Sequence, residues 1–121
     1  MRTPSAAVFL LAFPLLVAPC AARAHAYLEH TDPKVGSTVR ASPSQVRLSF
    51  DSELEPAFSS LSVHGAGGGV VDKGHARVDP SNPKLLEVSI PPLAPGTYRV
   101  VWSVVARDGH RTSGDYQFTV R

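Results

Sequence analysis

Sulfur is nearly missing from this chain. Its one cysteine, Cys20, and its one methionine, Met1, both fall within the first 24 residues. Residues 25–121 therefore carry no disulfide, no thiolate ligand and no thioether ligand. A charge excess is missing too. Arg2 and Arg23 belong to the opening segment, which leaves ten basic residues against ten acidic ones. With no Lys/Arg stripe, a nucleic-acid or other polyanion partner is not expected. Beyond the first 24 residues no apolar run approaches membrane-spanning length. There is no internal repeat and no sustained helical period.

What is present begins with a leader. Residues 1–24 read as a secretory signal: Arg2 near the start, an apolar stretch from Ala6 to Val17 interrupted by Pro14, then the small-x-small site Ala22-Arg23-Ala24. Pro19 directly before Cys20 is a poor residue at a lipoprotein cut, so cleavage after Ala24 is expected, with export of the remaining chain. That cut frees the α-amine of His25. An N-terminal histidine offers a metal its amine nitrogen and its ring Nδ1 together, in one six-membered chelate. Neutral imidazole suits copper, zinc and nickel. Signal peptidase tolerates most residues after its cut, so His25 gains meaning only beside a second ligand.

Residues 25–121 are enough for one domain with one core. His25–His30 reads as a first strand, with His25, Tyr27 and Glu29 on one face and Ala26, Leu28 and His30 on the other. Asp32–Gly36 reads as a turn. Val46, Leu48 and Phe50 alternate with polar residues, as do Leu61 and Val63. The acidic stretch Asp51–Pro56 reads as a loop. Gly65–Gly69 is a flexible turn followed by a short Val70–Val71 strand. A break at Asp79–Pro83 precedes a strand marked by Leu86, Val88 and Ile90. Tyr98–Ala106 is apolar on both faces, which marks a central strand, and Asp115–Val120 buries Tyr116, Phe118 and Val120. Short alternating strands between Gly/Pro turns predict an all-β fold, an antiparallel β-sandwich of about seven strands.

Between the last two strands stands Arg107-Asp108-Gly109-His110-Arg111-Thr112-Ser113-Gly114. Gly109 permits a tight bend, so Asp108 and His110 can point toward one spot. A carboxylate beside an imidazole either ligates a metal or holds a ligand in place. Asp-Gly alone is an ordinary hairpin turn. Of the other histidines, His64 and His75 read as solvated, and His30 faces away from His25 by strand parity. Trp102 and Tyr98 read as core, with Tyr98 bonding back across its turn as corner tyrosines do.

The ordered set His25-Ala26-x-Leu28, the Pro33…Gly36 turn, the Val46–Phe50 strand, Leu93-x-Pro95-Gly96-x-Tyr98-x-Val100-x-Trp102 and Asp108-Gly109-His110…Gly114…Phe118-x-Val120 resembles the periplasmic copper-binding family CopC. The resemblance covers essentially all of residues 25–121. It implies a cupredoxin-like Greek-key β-barrel or sandwich and one Cu(II) per chain. The ion would be held by the amine and ring of His25 and by His110, with Asp108 at or beside the metal. It also implies a copper-importing inner-membrane partner of the CopD kind. The chain departs from the family twice. It lacks the Met-rich loop that gives some members a Cu(I) site. Members often carry a glutamate two residues after the phenylalanine that ends the early strand, and here Ser52 stands there, flanked by Asp51 and Glu53. Those two carboxylates stay outside the expected ligand set. The expected role is binding without catalysis, by a monomer. Two other readings compete. One is a histidine brace for copper-dependent oxidation, which needs an exposed substrate face. The other is a metal-free immunoglobulin-like interaction module with Asp108-Gly109-His110 as a plain turn.

Overall fold

The computed structural model describes Pro14 and residues 26–121, and its elements all lie in the latter stretch. Eight strands follow in order: β1 (Leu28–Asp32), β2 (Thr38–Val39), β3 (Gln45–Phe50), β4 (Ser60–His64), β5 (Arg77–Asp79), β6 (Asn82–Ser89), β7 (Gly96–Val105) and β8 (Arg111–Val120). They form two four-stranded sheets, ordered β1-β3-β6-β5 and β2-β8-β7-β4. Every pairing is antiparallel except β2 with β8, which is parallel. The fold is the expected β-sandwich.

Alternation builds the core. Val46, Leu48 and Phe50 of β3 and Leu86 and Val88 of β6 point inward from one sheet. Leu61 and Val63 of β4, Tyr98, Val100, Trp102 and Val104 of β7 and Tyr116, Phe118 and Val120 of β8 meet them from the other. The β7 strand lies between β8 and β4, as its two apolar faces predict. The Trp102 ring meets Phe50 edge-on at 5.3 Å between centroids. Tyr98 stacks on Phe118 and donates its hydroxyl to the Ala94 carbonyl at 2.5 Å, the expected corner bond. Burial pushes the Tyr116 hydroxyl well above its ordinary range, so it stays neutral.

On the outer face of the first sheet, Asp32, Arg47, Glu87 and Arg77 fall side by side across all four strands. Glu87 is ion-paired to Arg47 at 3.5 Å and to Arg77 at 3.2 Å.

Four local expectations need correction. The first strand begins at Leu28, with a bulge between Leu28 and His30 that shifts the expected face parity. Val70 makes a single bridge to His64, without a strand through Val71. The Asp79–Pro83 break is instead a tight hairpin joining β5 to β6. Asp79 accepts both the amide and the hydroxyl of Ser81, each at 2.8 Å, which holds its carboxyl below the usual carboxylate value. Any stability from that shift is present above the ordinary value and lost as pH falls through the lowered one. Finally, β8 starts at Arg111 rather than Asp115, extended by pairing with β7 as far as Val105↔Arg111.

Gly114 makes that extension feasible. A Cβ there would lie 2.7 Å from Trp102 Cζ2, inside contact distance of a buried ring. Gly114→Ala is expected to lower stability by about 1–3 kcal/mol, the usual cost of overpacking. A urea melt checks this, and an unchanged midpoint would mean the Trp102 ring can move aside freely.

Candidate metal centre

The long β7–β8 ladder ends in a five-residue turn, Ala106 to His110, and that turn carries the Asp108-Gly109-His110 motif. The Ala106 amide donates to the His110 carbonyl at 3.0 Å and the Gly109 amide to the Ala106 carbonyl at 2.9 Å. Gly109 has φ +92°, a conformation that side chains rarely adopt. Asp108 then grips His110 with both carboxylate oxygens. Oδ1 accepts the His110 amide at 3.0 Å, and Oδ2 lies 2.9 Å from the ring Nδ1. An ionised carboxylate can only accept, so Nδ1 carries the hydrogen and the lone pair of the neutral ring sits on Nε2. The imidazole is largely exposed while the carboxylate is half-buried. This is an imidazole whose tautomer and orientation are set by its neighbour.

The acidic stretch after β3 is folded against the same turn. Leu54 is fully buried and bridges Ala106, with its amide donating to the Pro83 carbonyl. A loop is the correct general description, but this one is pinned at its centre. The Glu55 amide donates to the Val105 carbonyl and the Arg107 amide to the Glu53 carbonyl. A cleft of about 450 Å³ results, lined by Asp51, Ser52, Glu53, Lys84, Arg107 and Asp108. Both loop carboxylates that flank the family glutamate position have protein partners. Glu53 is ion-paired to Arg107 at 2.6 Å. Asp51 Oδ1 accepts the Tyr27 amide at 2.7 Å and the Ser52 hydroxyl at 3.3 Å.

His25 lies outside the described residues, as does the expected leader apart from Pro14. Its immediate successors are held at this end of the sandwich. Ala26 is fully buried, and its carbonyl accepts the Thr112 hydroxyl at 2.8 Å across 86 residues of sequence. The Tyr27 carbonyl accepts the Asp51 amide at 3.0 Å. Among the described residues no three His, Cys, Asp or Glu side chains form a metal-holding group. Asp108 and His110 are the part of the expected set that the structure brings together.

The remaining histidines are elsewhere. His64 pairs with Arg99, near the far end of β7 from the turn. Its ring is half-buried rather than solvated: Nδ1 donates to the Gly68 carbonyl at 3.0 Å and Nε2 accepts from Ser62 at 2.9 Å. His75 is exposed with φ +60°. His30 is exposed on β1. Thr112 and the backbone-holding role of Asp51 were not visible in the sequence. The one signal for Thr112 is a hydroxyl continuing the inward-facing series Val120, Phe118, Tyr116, Gly114.

An exposed imidazole with a set tautomer beside one carboxylate offers a metal a nitrogen donor, and residues 25–121 add no sulfur donor. Among the described residues, no helix is long and apolar enough to cross a membrane.

The CopC domain family model matches residues 28–121. Protein YobA of Escherichia coli K12 is 36% identical over 99 residues, which cover 81% of this chain and 80% of that protein. The crystal structure of CopC from Methylosinus trichosporium OB3b aligns with a TM-score of 0.74 at 38% identity, covering 79% of this chain and 93% of that one. PcoC, a methionine-rich copper resistance protein from Escherichia coli, aligns with a TM-score of 0.67 at 34% identity, covering 81% and 100%.

Proposed function

This chain belongs to the CopC family of copper proteins, and from that premise we propose that it is an exported, non-catalytic carrier of one Cu(II) ion. Cleavage after Ala24 leaves His25 as the first residue. Its α-amine and ring Nδ1 chelate the ion, His110 Nε2 supplies the third nitrogen, and Asp108 acts through the His110 ring.

One observation carries the proposal. The Thr112 hydroxyl holds the carbonyl of Ala26, so the backbone one residue after His25 is fixed to the strand that begins directly after His110. Consecutive Cα atoms are only about 3.8 Å apart. That anchoring supports His25 and His110 acting on a common ion. Three nitrogen donors favour Cu(II), whereas Cu(I) prefers sulfur, and residues 25–121 contain none. PcoC is methionine-rich by name; this chain is its opposite in that respect. A periplasmic location and hand-over to a CopD-like membrane transporter follow from the same family resemblance.

Titration of protein beginning at His25 tests the proposal. One equivalent of Cu(II) should bind tightly, quenching the fluorescence of the sole tryptophan, Trp102. Anaerobic titration with Cu(I) should reveal no site of comparable strength. A Cu(I) site as tight as the Cu(II) site would reject the three-nitrogen assignment.

A further inference from the structure

We infer that Thr112 and Asp51 are positioning residues for the metal centre: one on β8 and one directly after β3, they clasp the backbone of residues 26 and 27 and thereby hold the N-terminal chelate ready for the ion. The inference rests on the metal site proposed above but concerns residues that donate nothing to the metal themselves.

Each half of the clasp departs from what ordinary strand pairing would supply. Tyr27 and Asp51 extend the β1–β3 ladder by one more step. The Asp51 amide donates to the Tyr27 carbonyl in the usual manner. The return bond is different, because the Tyr27 amide is accepted by the Asp51 side chain at 2.7 Å. After Asp51 the chain leaves the sheet to bury Leu54. The carboxylate completes the pair at the point where the strand departs. From the other sheet, Thr112 continues the inward face of β8, where Tyr116, Phe118 and Val120 supply apolar core. Its hydroxyl instead meets the Ala26 carbonyl at 2.8 Å. Ala26 itself is fully buried between them.

The two bonds thus fix consecutive residues of a terminal segment from both sides. A chelate made by a terminal residue loses affinity to whatever backbone freedom it must give up on binding. A segment already clasped has little left to give up. Asp51 serves here as a backbone acceptor through Oδ1.

The test pairs each disabling substitution with one that keeps the bonding atom. In protein beginning at His25, Thr112→Val and Asp51→Ala should each weaken Cu(II) binding about three- to tenfold, the net worth of one hydrogen bond. Thr112→Ser keeps the hydroxyl and Asp51→Asn keeps an acceptor oxygen, so both should stay within about twofold. In metal-free protein, Tyr27 amide exchange should quicken in Asp51→Ala and remain slow in Asp51→Asn. His110→Ala serves as the control for the site. Unchanged affinity in Thr112→Val and Asp51→Ala, with binding lost in His110→Ala, overturns the clasp and leaves the metal site standing. Asp51→Asn as weak as Asp51→Ala overturns the positioning role of Asp51 in favour of a charge or ligand role. Unchanged affinity in His110→Ala removes the site and the clasp together.

Discussion

His110→Ala should weaken Cu(II) binding by more than about a hundredfold while leaving the fold intact. Removing a residue that only supports a metal ligand typically costs 10–100-fold in affinity, so removing a ligand exceeds that range. The imidazole is 63% exposed and fills no part of the core, so the metal-free protein should melt almost as the parent does. Asp108→Ala should fall inside the 10–100-fold range. Its carboxylate holds Nδ1 and the His110 amide, so the variant frees the ring to rotate and to exchange tautomers. It should also lose about 0.5–1.5 kcal/mol of stability, because the turn loses a side chain-to-backbone bond. Isothermal titration and thermal melts of the two variants check both claims. Equal losses for Asp108→Ala and His110→Ala would make Asp108 a direct ligand. Parent-like affinity in His110→Ala would end the proposal.

The division between what the sequence discloses and what it hides follows the range of the interactions. The inward faces of β3, β6, β7 and the second half of β8 are legible because apolar residues alternate there with polar ones, and that period reports burial directly. The first half of β8 is not. Arg111, Thr112, Ser113 and Gly114 contain no large apolar side chain, and they are strand only because Trp102–Val105 of β7 lie beside them. The short β2 and β5 strands fail for the same reason, since two or three residues cannot display a period. Leu54 is a lone apolar residue among acids and looks like loop, yet it plugs the core. The site divides likewise. Asp108 and His110 are two residues apart and their meeting is a local matter of one glycine turn. Thr112 with Ala26 and Asp51 with Tyr27 meet across 86 and 24 residues. Only the assembled sandwich sets those encounters.

One residue added ahead of His25 should weaken Cu(II) binding about as severely as His110→Ala, with no change in fold or in metal-free stability. The extension leaves every residue of the 26–121 domain as it was. Ala26 keeps its buried methyl and its bond from Thr112, Tyr27 keeps its bonds to Asp51, and the Asp108-Gly109-His110 turn is untouched. What changes is one nitrogen. The α-amine of His25 becomes a peptide amide, whose lone pair is delocalised into the carbonyl and is not offered to a metal at neutral pH. The six-membered chelate is lost, and two separate imidazoles must then be ordered singly. The loss should therefore greatly exceed that of Thr112→Val, which loosens the segment but leaves the amine present. Protein made in the cytoplasm with and without the extra residue, its N-terminus verified by intact mass, supplies the comparison. If both forms bind Cu(II) equally, the amine is no ligand, and cleavage after Ala24 serves export alone.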